Sequence, residues 1–127
     1  RHNWERLRKA LEDVQDKLIL PEAAENSAPS WFGFLISVRP ETGIDRNRII
    51  KFIEGHNIQT RLLFSGNIIR QPCFNEIRRT NSYRIVDNLE NSEFITNNTF
   101  WVGVYPGMTD VMVDYMAQVI KAAVSND

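Results

Sequence analysis

The chain contains 127 residues, of which 43% are hydrophobic and 24% charged, and its formal net charge is −1. This length and composition indicate one soluble globular domain. The near balance of 15 basic and 16 acidic residues argues against a nucleic-acid partner, and no stretch reaches the roughly 18 consecutive apolar residues of a membrane-spanning helix.

The cysteine content and the amino-terminal sequence bear on where the protein resides. Cys73 is the single cysteine and has no partner for an internal disulfide, and no apolar signal region follows the polar start RHNWERLRKALED. Both features predict a reducing, cytoplasmic location. The chain begins with arginine and enters a helical pattern at once, which predicts that it is a piece of a longer protein.

Apolar residues recur at three- and four-residue steps in the first part of the chain, namely Trp4, Leu7, Leu11, Val14 and Leu18. This spacing predicts one amphipathic helix that ends before Pro21. We interpret residues 1–20 as an interdomain-type helix and residues 21–127 as a small carboxyl-terminal domain. Because a fragment boundary would fall beside this helix, we expect Trp4, Leu7 and Leu11 to form an exposed patch where another domain docks.

Two strands and a helix are predicted in the middle of the chain. The nearly continuous apolar run of residues 31–38 is typical of a buried strand. Asp45 is a suitable N-cap for a short helix that Gly55 ends. Residues 58–64 read as a second strand, in which alternation places Phe64 on one face and Arg61 on the other.

The rest of the chain is predicted to be mostly loop before a final strand and helix. Residues 66–98 are polar, with short helical segments at 75–79 and 92–97. Residues 100–107 form a third strand that ends in a Pro-Gly turn, and Thr109 caps a last amphipathic helix. This order of elements predicts an α/β fold, a two-layer α/β sandwich in which helices cover a small mixed or antiparallel sheet.

Few residues suggest catalysis, and we predict neither a catalytic residue nor a metal ligand in this chain. The sequence has no glycine-rich phosphate loop, no His/Cys cluster at metal spacing and no nucleophilic serine motif. We interpret His2 and His56 as solvated cap or turn residues, and Cys73 as a small buried apolar residue. The lysines fall on polar positions of predicted helices, which argues against a Schiff-base role.

The segment TRLLFSGNIIRQP, residues 60–72, is the strongest candidate for ligand binding. Loops at the carboxyl ends of strands often meet ligands in α/β sheets, and arginine suits diphosphate or other planar oxyanion groups. For Arg61 the alternative is structural, with its stem covering apolar surface and its head reaching water. The predicted substrate-binding residues are Arg61, Phe64, Ser65, Asn67, Arg70 and Gln71, arranged around Gly66, which lets the backbone approach a ligand closely.

Several strings in the chain resemble a known family: SWFGFLISV, TRLLFSGNIIRQP and NNTFWVGVYPGMT, which follow NWERL and LILPEA. Over almost the whole chain they are similar to the carboxyl-terminal part of the nucleotide-sugar 3-dehydrases that act on CDP-4-keto-6-deoxy-D-glucose in lipopolysaccharide biosynthesis. These enzymes belong to the broader DegT/DnrJ/EryC1/StrS group of sugar aminotransferase-like proteins. The GN..RQP and FWVGVYPG strings favour dehydrase over aminotransferase. Residues 75–93 depart from the family pattern, with Asn88 and Ser92-Glu93 in place of Gly and Thr-Asp.

The resemblance implies the carboxyl-terminal domain of a fold-type I enzyme. Such an enzyme uses pyridoxal phosphate (PLP) or its amine form (PMP) with a 2Fe-2S cluster to remove the C3 hydroxyl of a 4-keto nucleotide sugar. It further implies a homodimer and an NADH-dependent iron–sulfur flavoprotein reductase as electron donor. A 2Fe-2S cluster requires about four cysteine ligands, and Cys73 is the only cysteine here. We therefore expect the large domain to hold both cofactors, and this chain alone to bind neither and to be inactive.

Two alternatives remain open. A nucleotide-sugar aminotransferase would share the fold and PLP, and it would differ from a dehydrase in a large-domain residue at the cofactor, lysine instead of histidine. A stand-alone interaction or regulatory module would have no upstream domain at all. The upstream region, roughly 300 residues in a two-domain chain of this class, would discriminate between these hypotheses.

Overall fold

The computed structural model describes residues 1–125, in which short helices and strands alternate with longer loops. In chain order the elements are α1 (His2–Ala10), β1 (Leu18–Ile19), β2 (Phe34–Val38), α2 (Arg46–Gly55), β3 (Thr60–Leu62), α3 (Glu90–Asn98), β4 (Thr99–Val102) and α4 (Asp110–Ser125). Short 3-10 turns lie at Glu12–Val14, Pro40–Thr42, Ile68–Arg70, Pro72–Phe74 and Ile77–Arg79. Within residues 1–125, no helix combines the length and the apolar content that crossing a bilayer requires.

The strands form one antiparallel sheet in the order β1-β2-β4-β3. Trp101 of β4 lies opposite Leu35 of β2 on one side and opposite Arg61 of β3 on the other. Burial alternates along β2, whose fully buried side chains are Phe34, Ile36 and Val38. One face of the sheet therefore points into the core, and the predicted two-layer α/β sandwich is confirmed with an antiparallel sheet.

The inner face of the sheet packs against α1, α2 and α4 around a single apolar core. Leu7, Ile53 and Ile120 contribute one side chain from each of these helices, and all have 0% exposure. Phe34 and Phe100 meet them from the two central strands and are also fully buried. Removal of these large apolar side chains from water supplies the main driving force for this fold.

The first helix is shorter than predicted. α1 ends at Ala10, and a 3-10 turn follows at Glu12–Val14. Leu18 then lies in β1 opposite Val38 of β2. Val14 and Leu18 are nevertheless 8% and 0% exposed, because the turn and the strand carry them into the core. The apolar spacing identified core positions correctly, but the prediction of one continuous helix is wrong.

α1 is part of the core of this chain and not an exposed docking surface. Trp4, Leu7 and Leu11 are 6%, 0% and 0% exposed, so the prediction that they form an exposed patch is wrong. The physical reason is that the inner sheet face needs a cover, which α1 provides together with the other helices. Arg6 also binds α4 through two 2.7 Å hydrogen bonds to the Asp114 carboxylate. A domain division after residue 20 stays a prediction.

The strands are also shorter than predicted. β2 begins at Phe34 and β4 ends at Val102, and β3 covers Thr60–Leu62 rather than 58–64. The chain leaves β3 because Phe64 adopts a φ of 45° while its N–H bonds to the Leu62 carbonyl at 2.9 Å. Phe64 is therefore 81% exposed and does not share the buried face of Thr60.

Two predicted helix caps are confirmed. The Asp45 carboxylate accepts the N–H of Asn47 at 2.9 Å at the start of α2. The Thr109 hydroxyl accepts the N–H of Met112 at 3.3 Å at the start of α4. These side chains satisfy backbone donors that have no partner within a helix, which fixes where both helices begin.

Candidate functional site

The loop after β3 is held against α3 at the point where the backbone of Gly66 lies close to the side chain of Thr96. Gly66 has a φ of 57°, and a Cβ placed on it would lie 2.4 Å from Thr96 Oγ1 and 3.0 Å from Thr96 Cα. The next N–H, of Asn67, donates to Thr96 Oγ1 at 2.6 Å, and that hydroxyl donates to the Ser92 carbonyl at 2.7 Å. This position therefore requires glycine for its conformation and for space.

Glu93, one turn before Thr96 on α3, binds two further loop residues through the same carboxylate oxygen. Its Oε1 accepts Asn67 Nδ2 at 2.8 Å and Arg70 Nε at 2.5 Å. The hydrogen bond from Arg70 is the main cause that lowers the pKa of Glu93, and the bond from Asn67 adds to it against the effect of burial. Asn67 is only 4% exposed, so its side chain supports the loop from the buried side.

A small cleft of about 80 Å³ opens between this loop and the start of β4. Its lining includes Arg46, Phe64, Ser65, Gln71, Thr96 and Thr99. Gln71 Nε2 donates to the Ser65 carbonyl at 2.8 Å, which closes the loop at its mouth. Ligand pockets for small molecules typically measure about 300 to 1,000 Å³, so this cleft alone holds only one small polar group. A nucleotide sugar would need a further wall.

Arg46 lies in this cleft and is a functional candidate that the sequence reasoning missed. Its residue surface is 9% exposed, and its Nη1 donates to the Thr99 carbonyl at 2.9 Å. Burial lowers the pKa of the Arg46 guanidinium, with the Asp45 carboxylate acting in the opposite direction. No sequence signal separates Arg46 from the exposed arginine Arg48 on the same helix, because which one is buried depends on how α2 packs.

Phe64 lines the cleft, whereas Arg61 faces outward from β3 and lines a separate depression together with Glu54 and Gln59. Arg61 is exposed and donates from Nη1 to the Thr60 carbonyl at 2.8 Å. The ring of Phe64 meets Trp101 edge to face, with 5.5 Å between centroids. The structure thus divides the predicted residues. Phe64, Ser65 and Gln71 line the cleft, and Arg61 faces outward from β3. Asn67 and Arg70 are bonded to Glu93. Their role in substrate binding stays a prediction.

The isolated polar candidates occupy different parts of the fold. Cys73 is exposed, so its interpretation as a buried residue is wrong. It lies in the 3-10 turn Pro72–Phe74 within a polar connection that contributes nothing to the core. His56 is the C-cap of α2, which agrees with its interpretation as a cap residue. His2 pairs with Asp110 at 3.0 Å on the exposed side of α1.

The side chains present do not fit either implied cofactor. Cys73 is the one cysteine of the sequence, and residues 1–125 contain no group of three or more His, Cys, Asp or Glu placed to hold a metal. Lys17 and Lys121 are bonded to other parts of the fold, and Lys9 and Lys51 are exposed on their elements. None of them lines the cleft.

An antiparallel sheet covered on one face by helices is the architecture of the carboxyl-terminal portion of fold-type I PLP enzymes. The fold matches the GDP-4-keto-6-deoxy-D-mannose-3-dehydratase of E. coli, whose structure has bound hydrated PLP, with a TM-score of 0.78 over 94% of this chain and 29% of that one, at 22% sequence identity. The sequence model of the DegT/DnrJ/EryC1/StrS aminotransferase family matches residues 1–121. The chain belongs to this family.

Two curated relatives are more similar in sequence. A dTDP-4-dehydro-2,6-dideoxy-D-glucose 3-dehydratase from Saccharopolyspora spinosa is 49% identical over 98% of this chain and 26% of its own length. The lipopolysaccharide biosynthesis protein RfbH from Salmonella typhimurium is 45% identical over 90% of this chain and 25% of its own length. The chain therefore spans about a quarter of the length of these relatives, and what they do as whole proteins involves residues that have no counterpart here.

Proposed function

We propose that this chain is the carboxyl-terminal domain of a nucleotide-sugar 3-dehydratase that removes the C3 hydroxyl of CDP-4-keto-6-deoxy-D-glucose. The observation that carries the 3-dehydratase reaction is the 49% identity, along 98% of the chain, with an enzyme named dTDP-4-dehydro-2,6-dideoxy-D-glucose 3-dehydratase. The CDP sugar as substrate rests on the resemblance of the sequence strings. The 45% identity with a lipopolysaccharide biosynthesis protein supports a role in that pathway, within which we assign the step that leads to the 3,6-dideoxyhexoses of O antigen. The parent enzyme would be cytoplasmic and homodimeric.

The proposal assigns PLP or PMP and a 2Fe-2S cluster to the remainder of the parent protein. The donor set supports this division, since a cluster requires about four cysteines and Cys73 is the only one in this chain. PLP would supply an electron sink that lets the C3 hydroxyl leave, and an NADH-dependent iron–sulfur flavoprotein would supply two electrons. The present chain contributes binding surface, and on its own it would be inactive.

Within this domain we assign the substrate to the loop after β3. Arg61 has a guanidinium that no carboxylate among residues 1–125 pairs with, so it suits the diphosphate of the nucleotide sugar. Phe64, Ser65 and Gln71 line the cleft after β3, and Arg61 lies outside that lining on the neighbouring strand. Glu93 would act through Asn67 and Arg70 by holding the loop in place. The cleft is too small for the whole substrate, which supports a site completed by the large domain.

The test is product analysis with the full-length enzyme. CDP-4-keto-6-deoxy-D-glucose, and in parallel dTDP-4-dehydro-2,6-dideoxy-D-glucose, would be incubated with enzyme, reductase and NADH, and the product analysed by mass spectrometry and NMR. A sugar that has lost its C3 oxygen and still carries a C4 ketone supports the proposal. A 4-amino sugar, formed with glutamate and without NADH, would establish the aminotransferase alternative instead.

A further inference from the structure

One cross-strand row on the outer face of the sheet carries two large apolar side chains beside an arginine. Leu35, Trp101 and Arg61 lie directly opposite one another on β2, β4 and β3, so their side chains share this face. Leu35 and Trp101 are partly exposed. Antiparallel sheets with one solvated face normally place polar residues there. Leu35 and Trp101, as partly exposed large apolar side chains on this face, are typical of a surface that another part of the protein covers.

Two exposed phenylalanines extend this row into an aromatic cluster, which we call the aromatic ridge: Phe32, Phe64 and Trp101. Both phenylalanines are 81% exposed. Their ring centroids lie 5.0 Å and 5.5 Å from that of Trp101, at interplanar angles of 57° and 80°. Isolated exposed apolar residues are common on protein surfaces, but contiguous large aromatic side chains mark interaction sites.

We propose that the aromatic ridge is the surface on which this domain docks against the preceding large domain of the same polypeptide. The proposal rests on the proposed function, because it requires the chain to be part of a longer enzyme. The identity of the occupant follows from chain length: the relatives have about three quarters of their length outside the matched region, since the chain covers 26% and 25% of them. In a parent enzyme of that length, the remainder would be the largest surface permanently tethered to this domain.

The packing of the helices also favours the outer face of the sheet as the docking surface. α1, α2 and α4 are used to cover the inner face, and the apolar side chains of α1 are buried in the chain's own core. The ridge is continuous with the candidate loop through Phe64, so docking here would place the large domain beside the small cleft and supply its missing wall. The tilted and edge-on rings make an uneven surface, which suits interdigitating side chains better than a flat nucleobase.

The experiment is a thiol footprint of the full-length enzyme. Phe32→Cys and Phe64→Cys would be compared with Val111→Cys, a matched control on α4 that is 76% exposed in this domain. Alkylation by iodoacetamide is followed at each site by peptide-resolved mass spectrometry and normalised to the rate in urea. At a pH of about 9 an exposed thiol, with a pKa of roughly 8.5, is mostly ionised and reacts fast, whereas a covered thiol is both less accessible and less ionised.

If the large domain docks on the ridge, both ridge cysteines should react with iodoacetamide roughly tenfold or more slowly than the control, without any added substrate. The reason is that the reagent can reach them only when the two domains separate locally. Rates equal to that of Val111→Cys would overturn the proposal. Protection that appears only with nucleotide sugar would assign the ridge to the substrate, and protection lost on dilution would assign it to a second copy; either result also overturns it. This readout does not depend on turnover, so failure of the proposed reaction leaves the footprint interpretable.

Discussion

Arg70 donates from Nε to Glu93 Oε1 across 2.5 Å, so its charge is already matched by a carboxylate of the same domain. Arg61, the other arginine of the candidate loop, bonds instead to the neutral carbonyl of Thr60. The two arginines looked equivalent in the sequence, one at each side of Gly66. The contacts distinguish them: Arg70 secures the loop to α3, whereas Arg61 has no carboxylate partner among residues 1–125, and its proposed role in binding an oxyanion stays a prediction.

The Glu93 contact predicts a pH-dependent stability. Because hydrogen bonds from Arg70 and Asn67 lower the pKa of Glu93 in the folded state, its contribution is present above the ordinary glutamate pKa of about 4.3 and is lost as the pH falls through the lowered value. Glu93→Gln should therefore lower the urea midpoint at pH 7, and the difference from the unaltered protein should narrow towards pH 3.

The control for this substitution is Glu90→Gln. Glu90 and Glu93 both lie in the first turn of α3, so both interact with the same helix dipole. Urea unfolding, followed by circular dichroism at both pH values, compares the two substitutions. Equal losses from the two variants would mean that the dipole, and not the bonds from Asn67 and Arg70, accounts for the effect.

Gly66→Ala should destabilise the domain more than an alanine at another left-handed glycine. Gly43 also has a positive φ, 71°, but no atom lies within 4 Å of its added Cβ, whereas at Gly66 that atom would meet Thr96 at 2.4 Å. Gly43→Ala should cost about 1 to 2 kcal/mol from conformation alone. Gly66→Ala should cost about 1 to 3 kcal/mol more from overlap. Equal urea midpoints for the two variants would refute the close approach.

Local features of the fold could be predicted from the sequence, and features set by distant contacts could not. Asp45 and Thr109 were predictable as caps because each binds an N–H only two or three residues away. The end of α1 was not, since Leu18 leaves helical geometry to pair with Val38. Apolar spacing records which side chains are buried, but a helix and a turn followed by a strand can bury the same ones.

The candidate loop was found from its arginines and glycine, but its support was not. Glu93 and Thr96 reach the loop across 23 to 29 residues of sequence, through a segment with no strong periodicity. Arg46 was missed for the same reason, because its burial arises where α2 meets the start of β4. Side chains that reach the site from other elements leave no signal in the local sequence of the loop.

Arg46→Met should destabilise the domain by about 1 to 3 kcal/mol, because the Thr99 carbonyl would lose a charged donor in a buried position. Lys51→Met on the same helix is the control, since Lys51 is exposed and its replacement also removes one positive charge. The measurement is the free energy of unfolding in urea. A similar change for both variants would show that the charge of α2, and not the bond to Thr99, is what matters.

The last prediction separates the two arginines of the loop by kinetics. In the full-length enzyme, Arg61→Ala should lower kcat/KM for the nucleotide sugar roughly ten- to a hundredfold, because a charge-assisted hydrogen bond to a diphosphate is worth about 1.5 to 3 kcal/mol. Arg70→Ala should lower the melting temperature and change kcat/KM less, since Arg70 acts through Glu93. Both values would be measured on the same preparations, with cofactor content checked by absorbance.

Arg84→Ala is the control for loss of one positive charge, because Arg84 is exposed in the connection before α3. It should leave both the melting temperature and kcat/KM near those of the unaltered enzyme. If Arg61 instead covers apolar surface beside Trp101, its substitution would lower the melting temperature and leave kcat/KM unchanged. That pattern would remove the oxyanion role from Arg61, while the aromatic ridge and the Glu93 contact would remain to be judged by their own measurements.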